Sequence, residues 1–160
     1  MTNLNIKDRC QDFSLASLDD IDASLTELLT RFSRVYLVFF KVTCPTCIFT
    51  LPYIDKMFGY YPGTPILAIS QDDASRSIMF KNDLGLALNI LVDEKLTVSK
   101  SFQLTNVPTL FEIGQNMEIE NIIVGFSKPD YEKINQYLSV KHQLNELKLF
   151  DDTVPVYKPG

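Results

Sequence analysis

Tryptophan is missing from this chain of 160 residues, which has a single histidine, His142, and three cysteines. Three cysteines are too few, and odd in number, for a disulfide framework. Cys44 and Cys47 form the one close cysteine pair, so a zinc site would lack its remaining ligands. Apolar runs are short, and none reaches the ~18 residues of a membrane-spanning helix. We therefore expect no structural metal, no cofactor and no membrane partner.

Basic residues are in the minority, with 15 Lys and Arg against 20 Asp and Glu and a formal net charge of −5. This balance argues against a nucleic-acid partner. The length and a hydrophobic content of 46% fit one globular domain over residues 1–160. The first residues lack the apolar stretch of a signal peptide, so the cytoplasm is the default address. Because a leader can be missing from the given sequence, export stays open.

Strand and helix patterns alternate along the chain. Short apolar runs rich in β-branched and aromatic residues predict buried strands over 35–40, 66–69 and 89–92. Three- and four-residue spacing, capping residues and turn signals predict the other elements: helices from 24, from 45, over 74–84, over 95–102 and from about 129, and a hairpin of 109–113 with 117–124. The predicted class is α/β, with a mixed central β-sheet flanked by helices. We expect an N-terminal extension over 1–34, an inserted helix-strand unit over 72–92 and a tail over 151–160.

The spacing Cys44-Pro-Thr-Cys47 falls where a buried strand gives way to a helix. Pro45 suits the first helical turn, because its φ is fixed and its missing N–H would have no partner there. A thiol at a helix N-terminus faces unsatisfied N–H groups and the positive end of the dipole, which favours its thiolate. Cys47 lies one turn further, within reach of the same sulfur. The pair can therefore alternate between dithiol and disulfide, with Cys44 attacking and Cys47 resolving.

The residues around the pair resemble thioredoxin-like proteins. The matching segments occur in the family's order: Val38–Phe40 with Thr43–Cys47, Pro52 in the following helix, Thr105–Leu110, and Val124-Gly125 with Ser127-Lys128. The long stretch between Cys44 and Pro108 and the segment Asp12–Leu15 are similar to the redoxin branch, which holds the alkyl hydroperoxide reductase/thiol-specific antioxidant proteins. Two positions depart from thioredoxin: Val38 stands where thioredoxin has a buried aspartate, and Thr43 stands where it has tryptophan.

The resemblance implies a thioredoxin-like fold and a thiol-disulfide oxidoreductase. Cys44 and Cys47 would be catalytic, and Thr43, Pro45 and Thr46 would complete the active-site loop. Pro108 would follow a cis peptide and place the Val107 backbone beside the cysteines, where an extended substrate pairs with it. The expected partners are a protein disulfide substrate and a thiol reductant or reductase, and the redox-active disulfide serves in place of a cofactor. The direction of electron flow stays open.

Two other functions compete with this one. A thiol peroxidase acting through Cys44 is favoured by the likeness of Val42–Thr46 to peroxiredoxins, but Lys41 stands where they need a threonine or serine hydroxyl. A binding module without redox activity is disfavoured because both cysteines are present. We interpret Cys10 as a small buried or idle thiol, Lys41 as a loop residue that could stabilise a thiolate, and His142 as an exposed residue without a catalytic role.

Overall fold

The computed structural model describes residues 4–19 and 23–160. Its strands are β1 (Ser14–Leu15), β2 (Ala23–Ser24), β3 (Arg34–Phe40), β4 (Ile66–Ser70), β5 (Asn89–Val92), β6 (Thr109–Gly114), β7 (Ile119–Val124), β8 (Phe126–Ser127) and β9 (Tyr157–Lys158). Its helices are α1 (Leu25–Arg31), α2 (Pro45–Tyr60), α3 (Ala74–Leu84), α4 (Thr97–Ser101) and α5 (Lys128–His142). No helix among these described residues is long and apolar enough to cross a membrane.

A mixed sheet in the order β5-β4-β3-β6-β7 forms the centre of the molecule. The pairs β3–β4 and β4–β5 are parallel, whereas β3–β6 and β6–β7 are antiparallel. Every residue of β3 from Val35 to Phe40 is buried, because both faces of the sheet are covered. This is the fold class that the sequence predicts, α/β with a mixed central sheet flanked by helices.

Alternate residues of β3 belong to two different hydrophobic cores, as the two-residue period of a strand requires. Tyr36, Val38 and Phe40 pack with residues of α2 and α5 on one face. The residues between them pack with α1, α4 and the N-terminal segment on the other face. The sheet therefore separates the side of α2 from the side of the N-terminal segment.

Helix α4 is shorter than the sequence predicts, spanning Thr97–Ser101 rather than 95–102. Its start is set by Asp93, which is buried and accepts hydrogen bonds from the backbone N–H groups of Val98 at 3.1 Å and Ser99 at 2.7 Å. Leu96 has a left-handed backbone with φ of 60°, so the helix cannot extend towards residue 95.

The N-terminal segment pairs with both outer strands of the sheet. At the β5 edge, the Leu18 N–H donates to the Ile90 carbonyl at 3.0 Å and the Val92 N–H donates to the Ala16 carbonyl at 2.9 Å. At the other edge, backbone bonds join residues 7–10 to residues 117–119, around a bridge between Arg9 and Glu118. The segment predicted as an extension is thus part of the sheet's hydrogen bonding.

Residues 151–160, which the sequence predicts to be a tail, lie against the rest of the protein. Strand β9 pairs antiparallel with β8, and the Lys128 N–H donates to the Val156 carbonyl at 2.8 Å. Val154 is buried in the same core as Phe150, on the α2 side of the sheet. The physical reason for the difference is this apolar anchor, which holds the segment next to the start of α5.

Candidate active site

Cys44 lies where the chain passes from β3 into α2. It is the N-cap residue of the helix, with an extended backbone, and Pro45 follows it in the first turn. The Cys47 N–H donates a hydrogen bond to Cys44 Sγ over 3.2 Å. Cys44 is half-buried and Cys47 is fully buried, and all three cysteines are free thiols. The Cys44 sulfur is therefore held by the helix terminus, and Cys44 is the less buried cysteine of the pair.

The loop before β6 faces Cys44 from the opposite side. The peptide bond between Val107 and Pro108 is cis, and Cys44 Sγ donates to the Val107 carbonyl oxygen at 3.4 Å. The Gly125 N–H donates to the Pro108 carbonyl at 2.7 Å, and the Thr109 hydroxyl donates to the Asn106 carbonyl at 2.8 Å. These bonds fix the loop, so the Val107 backbone lies beside the Cys44 sulfur.

The other residues of the predicted loop are placed in different ways. Thr46 is half-buried, and its hydroxyl donates to the Pro159 carbonyl at 2.7 Å. Pro45 and Thr43 are exposed, and Thr43 lies at the mouth of a shallow groove shared with Val42 and Met79. The loop thus contacts the C-terminal segment through Thr46 and leaves its remaining side chains in solvent.

The surroundings of Cys47 keep its proton in place. Burial is the main cause, and it raises the pKa of the Cys47 thiol well above its ordinary value. The hydrogen bond with Cys44 acts in the same direction, and so does the negative charge of Asp72. Cys47 is therefore a thiol at neutral pH, which suits a resolving cysteine that reacts second.

Asp72 is a contributor that the sequence reasoning missed. Its side chain is 9% exposed, and its carboxylate accepts a hydrogen bond from the Val42 N–H at 2.9 Å. The neighbouring Asp73 caps α3 by accepting from the Arg76 N–H at 2.8 Å. A helix needs only one capping residue, but two acids stand in succession before α3. The other acid was therefore available for another role, and this is the signal that could have identified Asp72. The position taken by aspartate in thioredoxin is the buried Val38, whereas Asp72, whose charge acts on Cys47, lies in the loop between β4 and α3.

The remaining candidates lie away from the pair. Cys10 is buried in the core on the other face of the sheet from Cys47, and its thiol donates to the Met117 carbonyl at 3.4 Å. Lys41 is exposed, and its carbonyl accepts from the Cys44 N–H at 3.2 Å. His142 ends α5 and is half-buried rather than exposed, because its ring lies 2.6 Å from the Thr64 hydroxyl and stacks near Tyr61. Within residues 4–19 and 23–160, no cluster of three or more His, Cys, Asp or Glu side chains could hold a metal ion.

Known proteins resemble this chain in sequence. The sequence profile of the AhpC/TSA family matches residues 6–122. The chain belongs to the AhpC/TSA family. The thiol-disulfide oxidoreductase ResA of Geobacillus kaustophilus is 29% identical over 126 residues, which are 76% of this chain and 71% of that relative.

Solved structures superimpose on the chain and show its fold. A candidate thiol:disulfide interchange protein DsbE from Chlorobium tepidum superimposes with a TM-score of 0.75 at 24% identity, over 86% of this chain and 97% of the other. The peroxidoxin BcpB of Mycobacterium tuberculosis superimposes with a TM-score of 0.67 at 18% identity, over 91% and 99% of the two chains. The AhpC/TSA chain described here therefore has a thioredoxin-like fold, and at these identities the two structures support the fold alone.

Proposed function

We propose that the protein is a thiol-disulfide oxidoreductase whose redox centre is the pair Cys44 and Cys47. The observation that carries the proposal is the placement of a half-buried cysteine at the N-terminus of α2, with its sulfur hydrogen-bonded to the Cys47 N–H at 3.2 Å and to the Val107 carbonyl at 3.4 Å. A helix N-terminus stabilises a thiolate, and the buried second thiol lies one turn away. The similarity to a thiol-disulfide oxidoreductase in sequence supports the same reaction.

The reaction has two steps. The Cys44 thiolate attacks one sulfur of a substrate disulfide, forming a mixed disulfide while the second substrate sulfur leaves as a thiolate. Cys47 then loses its proton to that leaving thiolate and attacks Cys44 Sγ, which releases the first substrate sulfur. Two electrons pass to the substrate, and the protein ends with a disulfide between its two cysteines. A thiol reductant or reductase restores the dithiol, and every step is reversible.

A protein substrate would pair its extended backbone beside Val107, in the loop that Pro108 holds in its cis conformation. Thr43, Pro45 and Thr46 would shape the rest of the contact. No metal or cofactor takes part in this proposal, because the exchanging sulfurs carry the electrons. The cytoplasmic address stays a prediction, and an exported protein would perform the same exchange.

Single cysteine variants test the assignment of roles. Reduced protein mixed with insulin should reduce the insulin disulfides, and Cys44→Ser should abolish the reaction. Cys47→Ser should instead accumulate a mixed disulfide through Cys44, visible by mass spectrometry after acid quench. Cys10→Ser is the matched control and should retain the activity, since Cys10 is buried on the other face of the sheet. A mixed disulfide formed through Cys47 in the Cys44→Ser protein would contradict the proposal.

A thiol peroxidase is the second candidate, favoured by the fold that the chain shares with a peroxidoxin. Peroxide needs a hydroxyl to hold its oxygens, and Lys41 stands at the position where peroxiredoxins supply one. We expect hydrogen peroxide to oxidise Cys44 no faster than an ordinary exposed thiolate. Rapid peroxide turnover with a thioredoxin-type reductant would reverse the order of the two candidates.

A further inference from the structure

The last residues of the structure lie across the candidate active site. We call residues 157–160 the strap. The strap begins with β9, which pairs with β8 just before the start of α5. The strap then reaches the cysteine motif, where the Thr46 hydroxyl donates to the Pro159 carbonyl at 2.7 Å. Thr46 stands between Cys44 and Cys47, so the strap contacts the centre of the motif.

The strap also packs against the loop that holds the cis peptide, backbone to backbone. A Cβ atom added to Gly160 would lie 2.7 Å from the Val107 carbonyl oxygen. A Cβ atom added to Gly125, whose φ is +72°, would lie 2.5 Å from the Lys158 carbonyl oxygen and 2.9 Å from the Gly160 nitrogen. Only glycine permits an approach this close at both positions. The Val107 carbonyl that Gly160 approaches is the one that accepts from Cys44 Sγ.

The strap is attached by few interactions, and these leave it free to open. The Lys158 ammonium lies 5.0 Å from the centre of the Phe49 ring on α2, a cation–π contact. Pro159 and Gly160 are exposed, and the buried anchor of the segment is Val154, which precedes the strap. A segment with few buried apolar contacts opens at low free-energy cost. The strap can therefore leave the site while residues 151–156 stay in place.

We propose that the strap selects substrates by occupying the space beside the Val107 backbone, where an extended polypeptide would pair. This inference rests on the proposed function. A small disulfide such as oxidised glutathione needs only the sulfur of the half-buried Cys44 and reacts with the strap in place. A protein disulfide needs the Val107 backbone for pairing and reacts only after the strap has been displaced. Low-molecular-weight disulfides are therefore the favoured substrates of the closed protein.

The test compares insulin with oxidised glutathione as oxidants of the reduced protein in single turnover, followed by acid quench and mass spectrometry. One variant lacks residues 157–160, and a second, Gly160→Ala, pushes the strap off the Val107 carbonyl. A strap closed in about nine molecules of ten would slow a competing substrate about tenfold. Deleting the strap should therefore speed oxidation by insulin about tenfold and change oxidation by glutathione less than about twofold.

The variant Gly160→Ala should raise the insulin rate in the same direction by a smaller factor. Its matched control is Gly59→Ala, because a Cβ on Gly59 meets nothing within 4 Å, and this control should leave both rates unchanged. If circular dichroism shows that the shortened chain does not fold, the insulin and glutathione rates of Gly160→Ala alone test the proposal. An insulin rate that stays the same or falls in the folded variants, with the glutathione rate intact, would overturn the proposal.

Alkylation of Cys44 tests the proposal about the strap independently of the proposed function. If neither disulfide oxidises any of the proteins, the proposed function fails, and the access of reagents to Cys44 then decides the strap. In a Cys47→Ser background, deletion of the strap should speed reaction with a polyethylene-glycol maleimide about tenfold and leave reaction with iodoacetamide nearly unchanged. If deletion of the strap accelerates both reagents equally, or accelerates neither, the strap does not restrict access to Cys44 according to the size of the reagent.

Discussion

At the scale of single residues, the two cysteines of the pair differ through what surrounds each of them. Cys44 caps α2 and is half-buried, whereas Cys47 belongs to α2 and is buried in the core that this helix shares with β3. Burial and the charge of Asp72 both raise the pKa of Cys47. In the proposed exchange, attack by Cys47 would therefore wait until a mixed disulfide on Cys44 has formed and a base is available, which would order the two steps.

Removing the charge of Asp72 should lower the pKa of Cys47. Asp72→Asn keeps an oxygen that can accept from the Val42 N–H, so the loop geometry should be preserved. Because the charge of Asp72 acts on Cys47 less strongly than burial and the hydrogen bond with Cys44, the shift should be below about one pKa unit, or tenfold in thiolate population. The measurement is the pH dependence of Cys47 alkylation in a Cys44→Ser background.

The matched control for this change is Asp73→Asn. Asp73 caps α3, and asparagine caps helices about as well as aspartate, so folding should be unaffected. This control should leave Cys47 alkylation unchanged. Identical pH profiles for Asp72→Asn and Asp73→Asn would contradict the role of the Asp72 charge.

Cys10 should make the protein less stable in alkali. Burial raises the pKa of Cys10 from 9.0 to about 11. Between these two pH values the unfolded chain releases the proton while the folded chain keeps it, so the free energy of unfolding falls as pH rises through this window. The loss attributable to Cys10 is roughly 2–3 kcal/mol and is absent below pH 9.

Cys10→Ala isolates this contribution. At pH 8 the variant should be less stable than the original protein, because a buried thiol that donates to the Met117 carbonyl has been removed. As pH rises to 11, the difference in the free energy of unfolding should shrink and then reverse. Urea unfolding at pH 8, 9.5 and 11 measures it, and a constant difference across the series would contradict the expectation.

At the scale of elements, removing an acid should affect the unfolding free energy differently at the two ends of α3. The Asp73 carboxylate accepts from the Arg76 N–H at 2.8 Å, and Asp73→Ala should cost about 1 kcal/mol of unfolding free energy through loss of this cap. Asp83, near the other end, is an exposed acid facing the negative end of the helix dipole. Asp83→Ala should therefore be neutral or slightly stabilising in urea unfolding. Equal losses at both positions would contradict this account of the cap.

The sequence predicts elements well where local chemistry decides them. The strand over 66–70 is bounded by prolines and glycine before it and by acids after it, and α3 spans the predicted 74–84. The cysteine motif can be predicted from the sequence for the same reason, because Cys44, Cys47 and the residues next to them are close together along the chain. Contacts between distant segments could not be read in this way. The pairing of β9 with β8 and the approach of Asp72 to Val42 depend on how strands far apart in sequence are arranged.

At the scale of the whole molecule, the couple should be moderately reducing. The residues between the cysteines, Pro45 and Thr46, carry no charge, and Cys47 is held as a thiol, so the dithiol gains little extra stability from a second thiolate. We expect a potential nearer the ~−270 mV of thioredoxin than the ~−120 mV of the periplasmic oxidant DsbA. Equilibration with glutathione or dithiothreitol buffers, followed by alkylation, measures it.

The side chain with most influence on this expectation is Lys41, which is exposed at the loop before Cys44. A cation there would favour the thiolate and make the couple more oxidising. Lys41→Ala should leave the potential within about 30 mV, which is a tenfold change in the equilibrium constant. A potential of the original protein above about −180 mV, the value of disulfide isomerase, together with a large decrease in Lys41→Ala, would contradict the expectation.

The pairing of the N-terminal segment with both outer strands bears on how the molecule behaves in a crowded solution. An open strand edge offers unpaired N–H and C=O groups to any other extended chain, and such edges seed fibres. Residues 16–18 occupy the β5 edge, and residues 7–10 occupy the beginning of β7. A proteolytic cut that released these residues would uncover both edges at once, with the cysteine pair untouched. Clipped molecules should then associate edge to edge while still exchanging disulfides, so aggregation would appear before any loss of redox activity.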